Sequence, residues 1–286
     1  MCTSGAVSAV YPSGEPFILL AKTMDFPISP CWHGICYLQN GYRCLAFGMT
    51  GQIGINSGLN EKGLGVVLSY LGCYVPEEKE EEQTKFQKWG EDERGLANAE
   101  ILTRCSNVEE AVEYLYDFIK RRPNIPGGNH MLVDATGKIA VFEHGLGSAN
   151  HKFYEEGYTA RGNNGLLILE DEQTNLPERI KFDRSSRYER MNKVMFSIRD
   201  SVINGRITRT EAIEEVKETL SYHNPEGKEK PGTICTHGLI LPGGRTSLSK
   251  ANWTITAAIF DVVNKEMFYT YGPPCESEWQ KLSLTN

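Results

Sequence analysis

Cys2 follows Met1, and its side chain is small enough for a methionine aminopeptidase to remove the residue before it. Such processing puts a thiol and an α-amine on one residue. An α-amine titrates near ~7.7–8.0 and a thiol near ~8.5, so at neutral pH part of the amine is free base beside a proton it can accept. Nucleophile and base are then supplied together. The pair needs a group to hold the amine, and a carboxylate does so because it accepts a strong hydrogen bond from it. Asp25 is the candidate, set against the simpler reading of Cys2 as a small residue entering a first strand.

The elements around these residues explain why Asp25 is the choice. Residues 6–11 read as a strand, Pro12-Ser13-Gly14 as a turn and 17–26 as the returning strand, so residues near Cys2 lie opposite 22–25. A second hairpin spans 37–47 about Asn40-Gly41, a pair suited to a type I′ turn. Short strands at 52–57 and 65–71 bracket a turn-like 58–63. The charged stretch 76–94 reads as a solvated surface loop, with a lid carrying Phe86 and Trp89 as the alternative. A helix is expected at 96–105, and a second is opened by a capping box of Ser106 and Glu109. Strands return at 131–134, 139–143 and 153–163, helices at 184–203 and 210–220, the latter boxed by Thr208 and Glu211, and a last hairpin at 253–263 and 266–271. Strands and helices in blocks, without βαβ alternation, predict an α+β layered domain with antiparallel sheets between helices, one domain over 1–286.

Composition narrows the function classes. With 40% hydrophobic and 23% charged residues and a net charge of −7, the chain reads as a soluble globular protein with no nucleic-acid partner, its Lys and Arg being scattered. No secretory leader and no 18-residue apolar run is visible, so no membrane span and a cytoplasmic location are expected. None of the 8 cysteines pairs at zinc-knuckle spacing, and the 6 histidines, at 33, 130, 144, 151, 223 and 237, form no ligand spacing. No cofactor and no metal is expected, and the other cysteines read as reduced, buried thiols.

The run Met1-Cys2-Thr3-Ser4, followed by Leu20-Ala21-Lys22-Thr23-Met24-Asp25-Phe26, resembles the paired N-terminal motifs of cysteine Ntn (N-terminal nucleophile) hydrolases. These are the linear amide C–N hydrolases: choloylglycine hydrolases, penicillin V acylases, isopenicillin N acyltransferase-like proteins and acid ceramidase-like amidases. The segment 58–65, Thr233-Ile234-Cys235-Thr236-His237 and Tyr271-Gly272-Pro273-Pro274-Cys275 are also similar, the last two to the acyltransferase-like branch. The resemblance implies a four-layer αββα sandwich, a small-molecule N-acyl amide substrate cleaved through an acyl thioester on Cys2, and a homo-oligomer, dimer or tetramer. Acyl transfer to an amine, or ligand binding without catalysis, are the alternatives.

The resemblance also implies roles for other positions. Lys22 stands where many relatives carry arginine, and it keeps the charge without the planar fork. Asn163, or its neighbour Asn164, corresponds to the asparagine that donates into the oxyanion hole. Ser69 falls where bile salt hydrolases resemble one another in having asparagine and penicillin V acylases tyrosine, which leaves a serine its backbone N–H for the oxyanion. Arg187 looks like the family's late arginine, near the nucleophile and its carboxylate, with a helix-surface arginine as the other reading.

Overall fold

The computed structural model describes residues 2–27, 30–37, 41–71, 92–122, 125–145, 148–168, 176–241 and 251–285. Strands β1 (Cys2–Val10) and β2 (Pro16–Phe26) form the expected hairpin, with Cys2 opposite Met24 and Ser4 opposite Lys22. The second hairpin is β3 (Cys31–Tyr37) and β4 (Arg43–Met49), longer on its incoming side than expected, and Asn40 lies outside the described residues.

Strand β5 (Ser57–Asn60) corrects the reading of 52–57 as a strand and of 58–63 as all turn. Gly54, at φ 79°, bends the chain just before it. A Cβ there would stand 2.2 Å from the Gly95 carbonyl oxygen, so only glycine lets the two backbones meet. Strand β6 (Gly65–Tyr70) follows as expected. Of the charged stretch, 76–91 lies outside the described residues, Phe86 and Trp89 with it, whereas Arg94 is buried and opens α1 (Arg94–Arg104).

Helix α2 (Val108–Lys120) shifts the expected cap by one residue: the Asn107 side chain accepts from the Glu110 N–H at 2.9 Å, and Glu110 reaches back to the Ser106 N–H at 2.7 Å. Asn is as good a cap as Ser, and it sits where the helical residues begin. Strands β7 (Gly128–Val133), β8 (Ile139–Gly145), β9 (Ser148–Phe153) and β10 (Tyr158–Arg161) come next. The single strand expected at 153–163 is thus divided, because a turn closed by Gly157 N–H to the Tyr154 carbonyl, with Gly157 at φ 73°, sends β10 to the other sheet.

Helix α3 (Glu178–Ile203) starts earlier than expected, and α4 (Arg209–Leu220) has the predicted capping box of Thr208 and Glu211. Strands β11 (His237–Leu239), β12 (Asn252–Asp261), β13 (Glu266–Thr270) and β14 (Trp279–Ser283) complete the described chain. The last of these was not legible in the sequence.

The strands form two antiparallel sheets among the described residues, one ordered β10-β1-β2-β12-β13-β14 with β11 on β12, the other β3-β4-β5-β6-β7-β8-β9. Alternation decides what each face buries. Cys2, Ala6, Ile18, Leu20 and Met24 meet Phe47, Leu59, Val67, Met131 and Val141 between the sheets. The opposite face of the second sheet packs Ala46, Val66 and Phe142 on Leu102, Leu115 and Phe118 of α1 and α2. Val7, Leu19 and Ile259 of the first sheet pack on Met191, Met195 and Val216 of α3 and α4. The layers run helix, sheet, sheet, helix, the αββα sandwich expected. No described helix is long and apolar enough to cross a membrane.

Two features bring the layers close around Cys2. At Gly5 a Cβ would lie 2.8 Å from Met191 and 2.9 Å from Met195, so glycine lets α3 settle directly on β1. Between the sheets, Arg161 of β10 donates to Glu143 of β8 at 3.0 Å, both almost fully buried. Glu143 also accepts N–H groups from Leu166, Leu167 and Ile168, which fixes the loop after Asn163. Truncating one partner of a buried ion pair strands the other charge and costs about 3–5 kcal/mol. Glu143→Ala is therefore expected to lower unfolding stability by an amount of that order in urea titrations, with a correspondingly large fall in thermal midpoint.

Candidate active site

Every residue singled out as a site candidate is buried, apart from the alternative Asn164. The Cys2 nitrogen donates to Asn163 Oδ1 at 2.8 Å. Arg187 reaches the same residue from α3, donating to the Cys2 carbonyl at 2.5 Å and to Thr3 Oγ1 at 2.9 Å through Nη1, and to Asn163 Oδ1 at 3.2 Å through Nη2. Its other contacts, Nε and Nη2 to Asp183 Oδ2 at 3.1 and 2.8 Å, are an i,i+4 pair on the helix. Arg187 is thus no surface arginine: its side chain is 1% exposed.

The Asn163 amide has a determined orientation. Its oxygen receives Cys2 and Arg187, and its Nδ2 donates to the Tyr70 carbonyl at 2.7 Å. Exchanging O and N would set donor against donor and acceptor against acceptor. Asn163 was expected as an oxyanion donor. In the structure its oxygen accepts from the Cys2 nitrogen, and one of its two N–H bonds goes to Tyr70. Asn164 does not share that place; its backbone carbonyl accepts from Asn129 at 3.3 Å.

Asp25 is one residue beyond Met24, the cross-strand partner of Cys2. Its Oδ1 accepts from Thr254 Oγ1 at 2.6 Å, and Thr254 is fixed in turn by the Thr236 N–H at 2.9 Å. Burial pushes the Asp25 carboxyl above its usual range, and the nearby Arg187 charge opposes that shift.

Lys22 faces the second sheet from the same side of β2 as Met24. Its ammonium donates to Asn56 Oδ1 and to the Leu68 carbonyl, beside the Phe47 ring. Burial pulls its pKa down, while the charges of Cys2 and Asp25 act the other way. Ser69 shares a hydrogen bond with Ser4 at 3.2 Å, tying β6 to β1. Its hydroxyl therefore serves the joint between the sheets.

Sequence reasoning missed Asp183, Tyr70, Asn56 and Thr254. Only Asp183 left a signal, four residues before Arg187 on one helix. One further cluster of ligand-type side chains was not visible either. The fold brings His223, Cys235, His237 and Cys275 together with ligand atoms all within 4.8 Å of one another, although no regular spacing announces them.

A family model for acyl-coenzyme A:6-aminopenicillanic acid acyl-transferase matches residues 12–252. The chain belongs to that family. The match contains Lys22, Asp25, Ser69, Asn163 and Arg187 and begins after Cys2. Solved structures share the fold: penicillin V acylase from Agrobacterium tumefaciens, 16% identical over 99% of this chain and 86% of that one, TM-score 0.59; the C2A mutant of conjugated bile acid hydrolase from Clostridium perfringens, 17% identical over 99% and 92%, TM-score 0.57; and a Caenorhabditis elegans ortholog of N-acylethanolamine-hydrolyzing acid amidase, 13% identical over 91% and 93%, TM-score 0.52. A search of curated proteins finds no match. The acyl-transferase family and this fold place the chain among the linear amide C–N hydrolases of the Ntn type, as the sequence motifs imply.

In this family member the burial of Asp25 has a consequence for stability. Its native pKa lies above the ordinary 3.8, so between 3.8 and that raised value the native state binds more protons than the unfolded chain. Stability from this group is present below 3.8 and falls as pH rises through the window. Asp25→Asn, which keeps the acceptor for Thr254, is expected to gain stability relative to the parent as pH rises from acidic to neutral. Parallel urea unfolding across that range checks it; a difference independent of pH would contradict the burial argument.

Proposed function

We propose that the chain is an amidase acting on linear N-acyl amides through an acyl thioester on Cys2, after removal of Met1. The observation that carries this reading is the nitrogen of Cys2 held at 2.8 Å by Asn163 Oδ1 while Arg187 holds the carbonyl of the same residue. With Met1 gone that nitrogen is an α-amine. Asn163 accepts one of its hydrogens and leaves the lone pair for the thiol proton.

In the proposed cycle the Cys2 sulfur attacks the amide carbonyl carbon as the α-amine takes the thiol proton. The carbonyl electron pair moves to oxygen, and the uncommitted Asn163 N–H stabilises it. Collapse breaks the C–N bond, and the ammonium returns its proton to the leaving nitrogen. Water then adds to the thioester with the amine as base, the carboxylic acid leaves, and the thiol is restored. Asp25 keeps the ammonium favourable at the strand end, and Lys22 adds positive potential near the sulfur without touching it.

A second reading has one specific support, the acyl-transferase family to which the chain belongs. An amine acceptor would replace water in resolving the same thioester. Incubation with a panel of N-acyl amides, with and without competing amines, separates the two by whether free acid or a new amide accumulates.

Protein without Met1 is expected to show an acyl adduct on Cys2 by intact mass during turnover, and Cys2→Ala neither adduct nor activity. A Cys2→Ala protein with full amidase activity would sink the proposal. Asn163→Ala is expected to lower kcat about 10²–10³-fold, corresponding to ~2.7–4 kcal/mol for a lost oxyanion donor. An unchanged kcat with only a raised KM would assign Asn163 to substrate binding instead.

A further inference from the structure

We propose that His223, Cys235, His237 and Cys275 form a zinc site with a structural role, distinct from the Cys2 centre. The four come from different pieces of chain: His223 from the turn after α4, Cys235 and His237 from the approach to β11 and its first residue, and Cys275 from the turn after β13. The sulfurs of Cys235 and Cys275 are 3.5 Å apart, and His237 Nε2 is 3.6 Å from the first and 3.2 Å from the second. Tetrahedral zinc, with bonds of ~2.3 Å to sulfur and ~2.0–2.1 Å to nitrogen, has ligand–ligand edges of roughly 3.3–3.8 Å. The first two distances fall within those edges and the 3.2 Å contact lies just short of them, and every ligand atom lies within 4.8 Å of the others.

The chemistry of the surroundings favours a metal over a set of thiols packed by chance. Cys235 is buried, and both ring nitrogens of His223 are shielded from water without meeting hydrogen-bond geometry, although the Cys235 backbone lies alongside. His237 turns Nε2 to the sulfurs and keeps Nδ1 3.8 Å from the Glu276 carboxylate, on the side from which a carboxylate orients a metal-bound imidazole when it closes to hydrogen-bond distance. Glu276 is paired with Lys228 at 2.6 Å. A divalent ion with two thiolates and two neutral imidazoles carries no net charge, and the adjoining carboxylate and ammonium cancel as well, so the filled site strands no charge in a partly buried pocket. Two histidines and two thiolates with no ligand position left for water are the donor set of structural zinc.

The site would cross-link two segments of turns and bends that the Lys228–Glu276 ion pair also joins. It fastens 222–237 to the turn at 273–277, both irregular. The fastened segment is also the one whose Ile234 carbonyl and Thr236 N–H bracket Thr254 behind Asp25. The proposal does not depend on the acyl-enzyme reading, because its measurements need no substrate.

Elemental analysis of the full chain, purified without chelator, is expected to give stoichiometric zinc in the parent and in Cys2→Ala. Cys275→Ser and His237→Ala are expected to lose it. Glu276→Gln, outside the ligand set, should bind zinc about 10- to 100-fold more weakly. Cobalt titration of the metal-depleted parent should produce thiolate-to-cobalt charge-transfer and tetrahedral d–d bands, a readout that requires no variant to fold. Reduced parent that carries no zinc and develops no such bands would overturn the proposal. So would a Cys235–Cys275 disulfide in protein that, once reduced, still takes up no metal, or stoichiometric zinc that leaves with Cys2→Ala and stays in Cys275→Ser.

Discussion

A strand, a loop and a helix meet at Cys2, and the Arg187 guanidinium touches all of them: the Cys2 carbonyl and Thr3 hydroxyl on β1, the Asn163 side chain in the loop after β10, and Asp183 on its own helix. A planar fork with five donors in fixed directions is the side chain that can do this. Buried without partners, such a charge would be too costly to retain. With Asp183 beside it the ion pair is nearly neutral, and each remaining N–H becomes a tie that sets where the Cys2 backbone lies. Gly5 eases the approach, since a Cβ there would stand 2.8 Å from Met191 and 2.9 Å from Met195 of α3, and those side chains would have to shift. Helix packing at a glycine three residues away therefore bears on where the Cys2 nitrogen lies.

Polar joints extend this frame across the space between the sheets. Lys22 spans from β2 to Asn56 and Leu68, Ser4 to Ser69, and Arg161 to Glu143. An apolar interface of the same shape would be as stable or more so, because buried ion pairs and hydrogen bonds contribute little net free energy once desolvation is counted. What they supply is direction. A methyl group packs in several registers, whereas a charged hydrogen bond is satisfied in one. Concentrating these contacts near Cys2 fixes the two sheets against each other there, as the proposed chemistry requires of its atoms.

The sequence made some of this visible and concealed the rest for physical reasons. Period-two alternation and the turn at Pro12-Ser13-Gly14 set the pairing of Cys2 with Met24, and Asp25 with it, because hairpin register is local information. The helices of the outer layers were readable from apolar spacing, with errors that run from one residue, where Asn107 rather than Ser106 caps α2, to six at the start of α3. Strand β5 was displaced because Gly54 bends the chain against Gly95, a contact between segments far apart in sequence. The same reason hides Tyr70 behind Asn163 and Thr254 behind Asp25, and leaves His223, Cys235, His237 and Cys275 looking scattered. Contacts closed by tertiary folding have no period to read.

Lys22 shows how a departure at one position is absorbed at another. The resemblance sets Lys22 where many relatives carry arginine, which removes the planar fork from β2. In the fold, the bidentate contacts around Cys2 come from Arg187, on the helix side of β1, and not from β2 at all. What is asked of residue 22 is a charge between the sheets with donors for two acceptors in different directions, Asn56 Oδ1 and the Leu68 carbonyl. An ammonium with three rotatable donors meets that demand in less volume than a guanidinium, with Phe47 packed against it. The lysine therefore costs the site no fork that it uses, and its presence carries no weight against catalysis.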